Sequence, residues 1–156
     1  MDLIIKEIID KKEKEIISKE ILYDLPEWFG LPESTEEYIK DSQDKPFLAC
    51  YADNDIAGYI VLNATSKDTA DIFVMGIKKK FHRMGIGTKL NTEFENMAKN
   101  LGYSYSQVKT VKMGHYKEYD ITNEFYIAMG YKELECFPTL WDEWNPCQIY
   151  IKYLGK

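Results

Sequence analysis

The residues best suited to chemistry lie in a basic turn near the middle of the chain, at residues 82–88. Gly85 and Gly87 allow backbone N–H groups to approach a ligand closely, because neither residue has a Cβ. A helix is expected to begin there, and the helix dipole makes that end positive. His82 and Arg83 can supplement this potential. The pattern predicts a site for a phosphate-type anion, with a plain packing turn as the alternative.

The spacing of the glycines limits which known type of phosphate-binding loop this turn can be. It fits neither the G-x-G-x-x-G dinucleotide fingerprint nor the G-x-x-x-x-G-K-[ST] nucleotide loop. Residues 82–87 read His-Arg-Met-Gly-Ile-Gly and instead resemble the pyrophosphate loop of the GNAT superfamily of acetyl-CoA-dependent N-acetyltransferases. That loop has Arg or Gln, two residues, Gly, one residue, and then Gly or Ala. His82 stands where Arg or Gln is usual, so its side chain departs from the family pattern.

A second segment, residues 125–131, carries the same resemblance. It reads Phe-Tyr-Ile-Ala-Met-Gly-Tyr and is similar to the Phe/Leu-Tyr-x-x-x-Gly-Phe segment that lies beside the cofactor thiol in that superfamily. The resemblance implies that Tyr126 is a general acid for the leaving sulfur. The alternative is one more half-buried aromatic among 12 tyrosines. Family members often have Asn seven residues before this tyrosine, where this chain has Tyr119.

The two segments together imply the fold of this superfamily, with acetyl-CoA as the co-substrate and no metal. The backbone of residues 75–77 is expected to hold the pantetheine arm and to polarise the thioester carbonyl. The residues that the resemblance assigns to acetyl-CoA binding are Met75, Gly76, Ile77, His82, Arg83, Met84, Gly85, Ile86, Gly87, Thr88, Phe125 and Tyr126.

Acetylation of an amine also requires a base, because the attacking nitrogen must be neutral. His115 is of the residue type most often used for this task, and it follows the predicted fifth strand. Asp71 on the central strand and Glu27 in an aromatic turn are rival candidates, through direct or water-mediated contact. Each of the three is also explained as an ordinary solvated side chain, so the sequence leaves the identity of the base open.

The acceptor site is predicted from aromatic side chains in irregular segments. Such side chains can enclose a small amine and make cation–π contacts with its protonated form. They equally suit a packed core or a homodimer face. The six candidates for substrate binding are Trp28, Phe29, Tyr116, Tyr119, Trp141 and Trp144. The expected acceptor is a primary amine of a small molecule or a peptide.

The expected reaction is direct attack of the amine on acetyl-CoA in a ternary complex. Cys50, Cys136 and Cys147 are widely spaced and are expected to be free structural thiols, and none is placed as a nucleophile. The alternative function is a non-catalytic acyl-CoA-binding regulatory module. Such a module needs the glycine loop but neither an acid near the sulfur nor a cleft for a second substrate.

Hydrophobic periodicity predicts the elements that position these residues. Residues 69–77 are apolar on both faces, as in a central strand, and Ile86, Leu90 and Phe94 begin a helical stripe after the turn. The full order is β-α-α-β-β-β-α-β-α-β-β. This is an α/β, GNAT-like arrangement in which a mixed, mostly antiparallel sheet is flanked by helices, in a single domain over residues 1–156.

Three further expectations concern helix faces and helix ends. Ile16 is expected on the buried face of the first helix. Ser34 or Thr35 is expected to cap the second helix, because a hydroxyl can accept a hydrogen bond from the first turn. Asp120 is expected to cap the last helix, at residues 121–129, for the same reason.

Composition excludes several classes of protein. The 156 residues are 45% hydrophobic, which suits one domain with a sizeable core. Twenty Lys and Arg against 26 Asp and Glu give a net charge of −6, which argues against nucleic-acid binding and permits a cationic acceptor. No apolar run approaches the roughly 20 residues of a membrane span, and the first residues show no signal-peptide pattern. A cytoplasmic protein without a membrane partner is therefore expected.

Overall fold

A computed structural model describes residues 1–155 of the chain. Short 3-10 turns lie at Ser42–Asp44 and Lys79–Phe81. The helices and strands are, in order, β1 (Leu3–Glu7), α1 (Lys11–Leu22), α2 (Pro32–Asp41), β2 (Phe47–Ala52), β3 (Asp55–Ala64), β4 (Thr69–Ile77), α3 (Ile86–Asn100), β5 (Tyr105–Val111), α4 (Lys117–Ala128), β6 (Lys132–Phe137) and β7 (Cys147–Tyr153). This order of elements is the one that periodicity predicts.

The seven strands form one sheet in the order β1-β2-β3-β4-β5-β7-β6. The pairs β1–β2, β2–β3, β5–β7 and β6–β7 are antiparallel. The predicted fold class, a mixed and mostly antiparallel sheet flanked by helices, is confirmed. Over residues 1–155, no helix has both the length and the apolar character needed to cross a bilayer.

The chain divides into two compact units that share strand β4. The first unit consists of residues 1–63 and 72–97, and the second consists of residues 64–71 together with residues from 98 onward. The first three residues of β4 therefore belong to the second unit and the remainder belongs to the first. That residues 1–156 act as a single domain stays a prediction.

The core of the first unit lies between α1 and the strands β2 and β3. Ile17 and Ile21 of α1 are buried, and Phe47 stacks on Tyr59 with ring centroids 5.1 Å apart. A fully buried side chain of this kind contributes about 1.5–3 kcal/mol to folding. The expectation for Ile16 is wrong, because it is 56% exposed. Successive helical residues differ by about 100° in direction, so adjacent positions cannot both point at the centre of the core.

The start of α2 differs from the prediction. The helix begins at Pro32 after Leu31, whose side chain cannot cap it, so neither Ser34 nor Thr35 is the cap. Proline is well suited to the first helical position, because the N–H that it lacks would have no helical partner there. Thr35 instead lies inside the helix, buried, and its Oγ1 donates to the carbonyl of Leu31 at 3.1 Å.

The start of α4 also lies earlier than predicted. The helix begins at Lys117, which places Asp120 in its first turn rather than at its cap. The side chain of Asp120 accepts a hydrogen bond from the N–H of Gly114 at 2.7 Å and so closes the preceding loop. The predicted capping role of Asp120 is wrong because the carboxylate serves this loop.

Asn123 fixes α4 to the strands of the second unit. Its Nδ2 donates to the carbonyls of Val111 at 2.8 Å and Tyr119 at 2.6 Å. Its Oδ1 accepts from the hydroxyl of Tyr150 at 2.6 Å. Asn123 is fully buried, so these bonds satisfy polar groups that water cannot reach. The orientation of α4, and thus of Tyr126 one turn later, depends on this network.

A buried lysine fastens α1 to the segment before β2. Lys14 is 7% exposed, and its Nζ donates to the carbonyls of Gln43 at 3.2 Å and Lys45 at 2.8 Å. Both carbonyls follow α2, where the chain enters β2. The ammonium group thus replaces backbone partners that an irregular segment cannot supply for itself.

We expect Lys14→Met to lower the free energy of unfolding by about 1–3 kcal/mol, because two carbonyls lose a charged donor. Urea denaturation measures this loss. Lys12→Met is the control, since Lys12 lies on the same helix with an exposed side chain, and it should unfold at nearly the parent urea concentration. Equal midpoints for the two variants would show that Lys14 contributes nothing specific.

Candidate active site

The glycine loop has a backbone conformation suited to anion binding. After β4, Arg83 has a φ of 64° and Gly85 a φ of 79°, both in the left-handed region. The N–H of Lys89 bonds to the carbonyl of Gly85 at 3.1 Å, so α3 begins directly after Gly85. The first N–H groups of a helix have no helical acceptor and point out of its end. The loop thus presents the N–H groups of residues 86–88 to a ligand.

Space is available in front of this loop. An ideal Cβ built on Gly85 would meet no atom of residues 1–155 within 4 Å. Residues 82–85 are exposed. A non-glycine residue in the left-handed region, such as Arg83, is strained by about 1 kcal/mol or more, and such strain gathers at ligand clamps. These features favour an anion site over a plain packing turn, and a role for the side chain of Arg83 in that site stays a prediction.

The side chain of His82 is turned toward the end of β4. Its Nε2 lies 2.7 Å from the carbonyl of Ile77, and its ring meets the ring of Trp28 edge to face, with centroids 5.9 Å apart. The carbonyl of Ile77, one of the backbone groups assigned to the cofactor, is therefore already hydrogen-bonded. Its assignment and those of the other cofactor residues stay predictions.

The lysines after β4 pair with carboxylates of α1 and of the turn that follows it. Lys78 pairs with Glu20, and the Nζ of Lys79 lies 2.6 Å from Oε2 of Glu27. The hydrogen bond from Lys79 holds the pKa of Glu27 below its usual range. A carboxylate with a lowered pKa is a weaker base, so this pair disfavours Glu27 as the general base.

Asp71 is a buried carboxyl on the part of β4 that belongs to the second unit. It is 4% exposed, its Oδ1 accepts from Nε2 of Gln107 at 3.1 Å, and its Oδ2 lies 3.8 Å from Nζ of Lys109. Burial raises the pKa of Asp71, while Lys109 and Gln107 act in the opposite direction. A raised pKa brings the carboxylate closer to the basicity that proton abstraction requires near neutral pH.

Tyr126 lies in the same unit and within the electrostatic influence of Asp71. It is 4% exposed, and its ring contacts those of Phe125 and Tyr131 at centroid distances of 5.1 and 5.6 Å. Burial, and secondly the charge of Asp71, raise the pKa of Tyr126 well above its usual range. The hydroxyl therefore keeps its proton at neutral pH and acts as a hydrogen-bond donor rather than as a phenolate.

The third candidate base, His115, lies in an exposed loop between β5 and α4. The bond from Gly114 to Asp120 closes this loop, and Tyr116 and Tyr119 meet edge to face across 6.1 Å. Tyr119 belongs to the first turn of α4, not to a loop as its sequence suggests. None of these contacts identifies His115 as a base, so its role stays a prediction.

The predicted acceptor aromatics fall into two groups. Trp28 and Phe29 are partly buried against the core of the first unit. Trp141 and Trp144, in the loop between β6 and β7, are 45% and 68% exposed. Oδ1 of Asp142 accepts from the N–H groups of residues 144 and 145, both at 2.8 Å, which shapes the loop that displays the two indoles. Trp141 and Trp144 are thus accessible to a ligand or partner, whereas Trp28 and Phe29 are packing residues as well.

Sequence reasoning missed Gln107 and Lys109, which act on Asp71. The signal was available, because the strand 105–111 places two polar side chains at alternate positions on one face. A polar face on a strand inside a sheet indicates a buried polar partner. Across the residues that the structure describes, no group of three or more potential metal ligands is gathered.

Comparison with known proteins decides the family. The sequence profile of the Acetyltransferase (GNAT) family matches residues 18–131. The chain belongs to the GNAT acetyltransferase family. The matched residues include the glycine loop, Asp71 and Tyr126, so the two segments that suggested this family lie inside the matched range. No curated protein matches the chain.

Solved structures with the same fold are numerous. A GNAT-family protein from Desulfovibrio desulfuricans superposes with a TM-score of 0.84 at 14% identity, covering 99% of this chain and 100% of that one. An aminoglycoside 6'-acetyltransferase type Ii gives 0.76 at 19% identity, covering 98% of each chain. A GNAT acetyltransferase from Elizabethkingia anophelis with acetyl-CoA bound gives 0.73 at 15% identity, covering 97% of each chain. At these identities the likeness establishes the fold alone.

We expect Asp71→Asn to be more stable than the parent protein at pH 7. Because burial raises the pKa of Asp71 in the folded state, stability is lost as pH rises through that raised pKa, and asparagine does not titrate. The difference should shrink toward about pH 3, where the carboxyl is protonated in both states. Urea unfolding at both pH values measures it.

Asp68→Asn is the control for this comparison, because it removes a partly exposed carboxylate from the turn before β4. It should change stability little at either pH. A parent protein more stable than Asp71→Asn at pH 7 would mean that the contact with Lys109 outweighs the cost of burial.

Proposed function

We propose that this protein is an N-acetyltransferase that transfers the acetyl group of acetyl-CoA directly to a primary amine. The observation that carries the proposal is the loop before α3, where two left-handed residues, Arg83 and Gly85, open the helix N-terminus to a ligand. Acetyl-CoA has a pyrophosphate that matches such a site. The Elizabethkingia anophelis relative, which has the same fold, was solved with acetyl-CoA bound.

The glycine loop and the end of β4 would bind the co-substrate. The N–H groups of residues 86–88 and the guanidinium of Arg83 would hold the phosphates, because charge-assisted bonds to phosphate oxygens are strong. Backbone groups of Met75 and Gly76 would pair with the pantetheine arm. Gly76 faces α1, where an added Cβ would lie 2.9 Å from Ile21. The absence of a side chain at this position therefore serves packing as well.

Asp71 and Tyr126 would handle the protons. The ammonium form of the acceptor must lose a proton before attack, and Asp71 is the candidate base that the structure favours, since burial raises its pKa. Tyr126 would donate a hydrogen bond from its hydroxyl to the sulfur as the C–S bond breaks, so that CoA leaves as a thiolate, which then takes up a proton from solvent. Because the pKa of Tyr126 is raised, a hydrogen bond is easier than full proton transfer. Orientation of the two substrates would supply much of the acceleration.

The state of Cys50 and Cys147 supports direct transfer without an acyl-enzyme. Cys50 and Cys147 are buried, and burial raises the pKa of both thiols, to about 11 for Cys147. A thiol attacks as its thiolate, which such pKa values disfavour at neutral pH. The acceptor amine would therefore attack the thioester itself in a ternary complex.

The acceptor would be recognised by exposed aromatic side chains. Trp141, Trp144 and Tyr116 are exposed in loops of the second unit, and the chain has a net charge of −6. Aromatic faces on an acidic protein suit a protonated amine before it reaches the base. We propose a small-molecule or peptide amine, a cytoplasmic setting, and no nucleic-acid or membrane partner. If the indoles do not bind the acceptor, a homodimer face is the proposal that remains for them.

The decisive experiment is release of free thiol from acetyl-CoA in the presence of a panel of primary amines. Turnover with at least one amine supports the proposal, and the amine with the highest kcat/KM identifies the acceptor class. Binding of acetyl-CoA by calorimetry without turnover on any amine would instead show a non-catalytic acyl-CoA-binding module.

We expect Gly87→Asp to weaken CoA binding tenfold or more, a loss of about 1.4 kcal/mol, because a carboxylate would face the phosphates. Gly87 lies in the first turn of α3, where an acidic side chain interacts favourably with the helix dipole. The new charge should therefore not lower the free energy of unfolding. Calorimetry with CoA and urea unfolding measure the two effects.

Thr92→Asp is the matched control, since it adds the same charge to an exposed position of α3 beyond the first turn. Its affinity for CoA should remain near that of the parent. Unchanged CoA affinity in a folded Gly87→Asp protein would remove this loop from the binding site.

We expect Tyr126→Phe to lower kcat about tenfold or more and to leave CoA affinity nearly unchanged, because the ring still packs and only the donor is lost. Thiol-release kinetics and calorimetry measure the two quantities. Tyr131→Phe is the comparison: its hydroxyl bonds to Oγ of Ser106 at 2.6 Å, so this variant should lose stability while keeping kcat. If chemistry limits turnover and kcat of Tyr126→Phe equals that of the parent, Tyr126 is not the acid.

A further inference from the structure

The turn between α1 and α2 is joined to the start of the glycine loop by His82. The ring of His82 meets the indole of Trp28 edge to face, with a centroid distance of 5.9 Å and an angle of 80°. Its Nε2 lies 2.7 Å from the carbonyl oxygen of Ile77. A carbonyl oxygen can only accept, so Nε2 carries the hydrogen. The imidazole is thus held at two points, one on β4 and one on the turn.

Further contacts attach the same turn to the residues just before the loop. The backbone N–H of Lys79 donates to Oδ2 of Asp24 at 2.7 Å, and the ammonium of Lys79 pairs with Glu27 at 2.6 Å. Asp24, Glu27 and Trp28 therefore all contact residues 79–82. Exposed ion pairs stabilise little, so the backbone hydrogen bond and the ring contact matter most for the position of the turn.

These contacts orient the side chain of His82 toward Ile77 and Trp28, which is not the orientation expected of a side chain that binds phosphate. In the resemblance to the pyrophosphate loop, Arg or Gln at this position carries several donors that can reach an anion. The Nε2–H donor of His82 is engaged at Ile77, and its ring is in edge-to-face contact with that of Trp28. The position departs from the family pattern in chemistry as well as in residue type.

We propose that His82 is a positioning residue that links the glycine loop to Trp28, so that a ligand in the loop changes the position of this indole. The proposal rests on the proposed function, because it assumes that the loop binds CoA. The consequence concerns the acceptor, because Trp28 is one of the aromatic residues predicted to shape the acceptor site. Binding of CoA in the glycine loop would change the position of this indole through the imidazole of His82.

The test uses the full chain with Trp141→Phe and Trp144→Phe, which leaves Trp28 as the one tryptophan of the three. CoA is titrated while the emission of Trp28 is recorded, and CoA affinity is measured independently by calorimetry. Two further variants separate the contacts of His82. His82→Phe keeps a ring against Trp28 but loses the bond to Ile77, whereas His82→Gln keeps a donor but loses the ring.

The expected result is a change in Trp28 emission on CoA binding that survives in His82→Phe and is lost in His82→Gln. The dissociation constant for CoA should change by less than about threefold in both variants. If His82 had only a structural role, its substitution would alter stability, but the change in Trp28 emission on CoA binding would not depend on a ring at position 82.

Two results would overturn the proposal while leaving the function intact. One is an emission change that is the same in all three proteins. The other is CoA affinity that falls about tenfold or more in both variants, which would make His82 a phosphate ligand. Failure of the protein with His82 intact to bind CoA in calorimetry is a separate outcome, and it would refute the proposed function together with this inference.

Discussion

The passage from β4 to α3 imposes the constraint on which the rest of the site depends. Eight residues separate Ile77 from Ile86, and in that span the chain must turn from an extended strand into a helix whose first N–H groups remain without helical partners. Left-handed backbone at Arg83 and Gly85 makes the change of direction. Lys78, Lys79 and residue 82, which precede the strained Arg83, contact α1 and its following turn. The strained, open loop thus follows a segment that these contacts attach to the first unit.

The main feature of the second unit is a buried ionisable group, the carboxyl of Asp71. Asp71 has a hydrogen bond from Gln107 and a distant ammonium, yet burial still dominates its pKa. An incompletely compensated carboxyl lowers stability, and natural proteins retain such groups where function requires a perturbed pKa. The raised pKa of Tyr126 has the same first cause, with the charge of Asp71 as the second. These perturbed pKa values are what support the proposed roles of Asp71 and Tyr126.

The order of the elements and the glycine loop could be predicted because both depend on local patterns. Apolar periodicity is a property of each segment, and the 82–87 motif lies within one turn. The ends of the helices were less predictable. Pro32 and Lys117 begin helices without side-chain caps, while Asp120 and Thr35 form other hydrogen bonds. The effect of the Asp71 charge on the pKa of Tyr126 could not be predicted, since these residues are far apart in the chain. For the same reason, the sequence could not distinguish Asp71 from Glu27 as a base, and the proposal for Asp71 rests on the different burial and partners that the fold gives the two carboxyls.

The hydrogen bonds of Asn123 restrict how this protein can vary. Two of its bonds need donors, toward Val111 and Tyr119, and the third needs an acceptor for Tyr150. An aspartate lacks the donors, a leucine lacks both functions, and a glutamine is one methylene too long for the same three partners. A change at Tyr150 can compensate only for the third bond, because the other two go to backbone carbonyls that remain whatever residue stands at 150. Position 123 should therefore vary little among homologous sequences, and a library for directed evolution that holds it fixed would lose few functional variants.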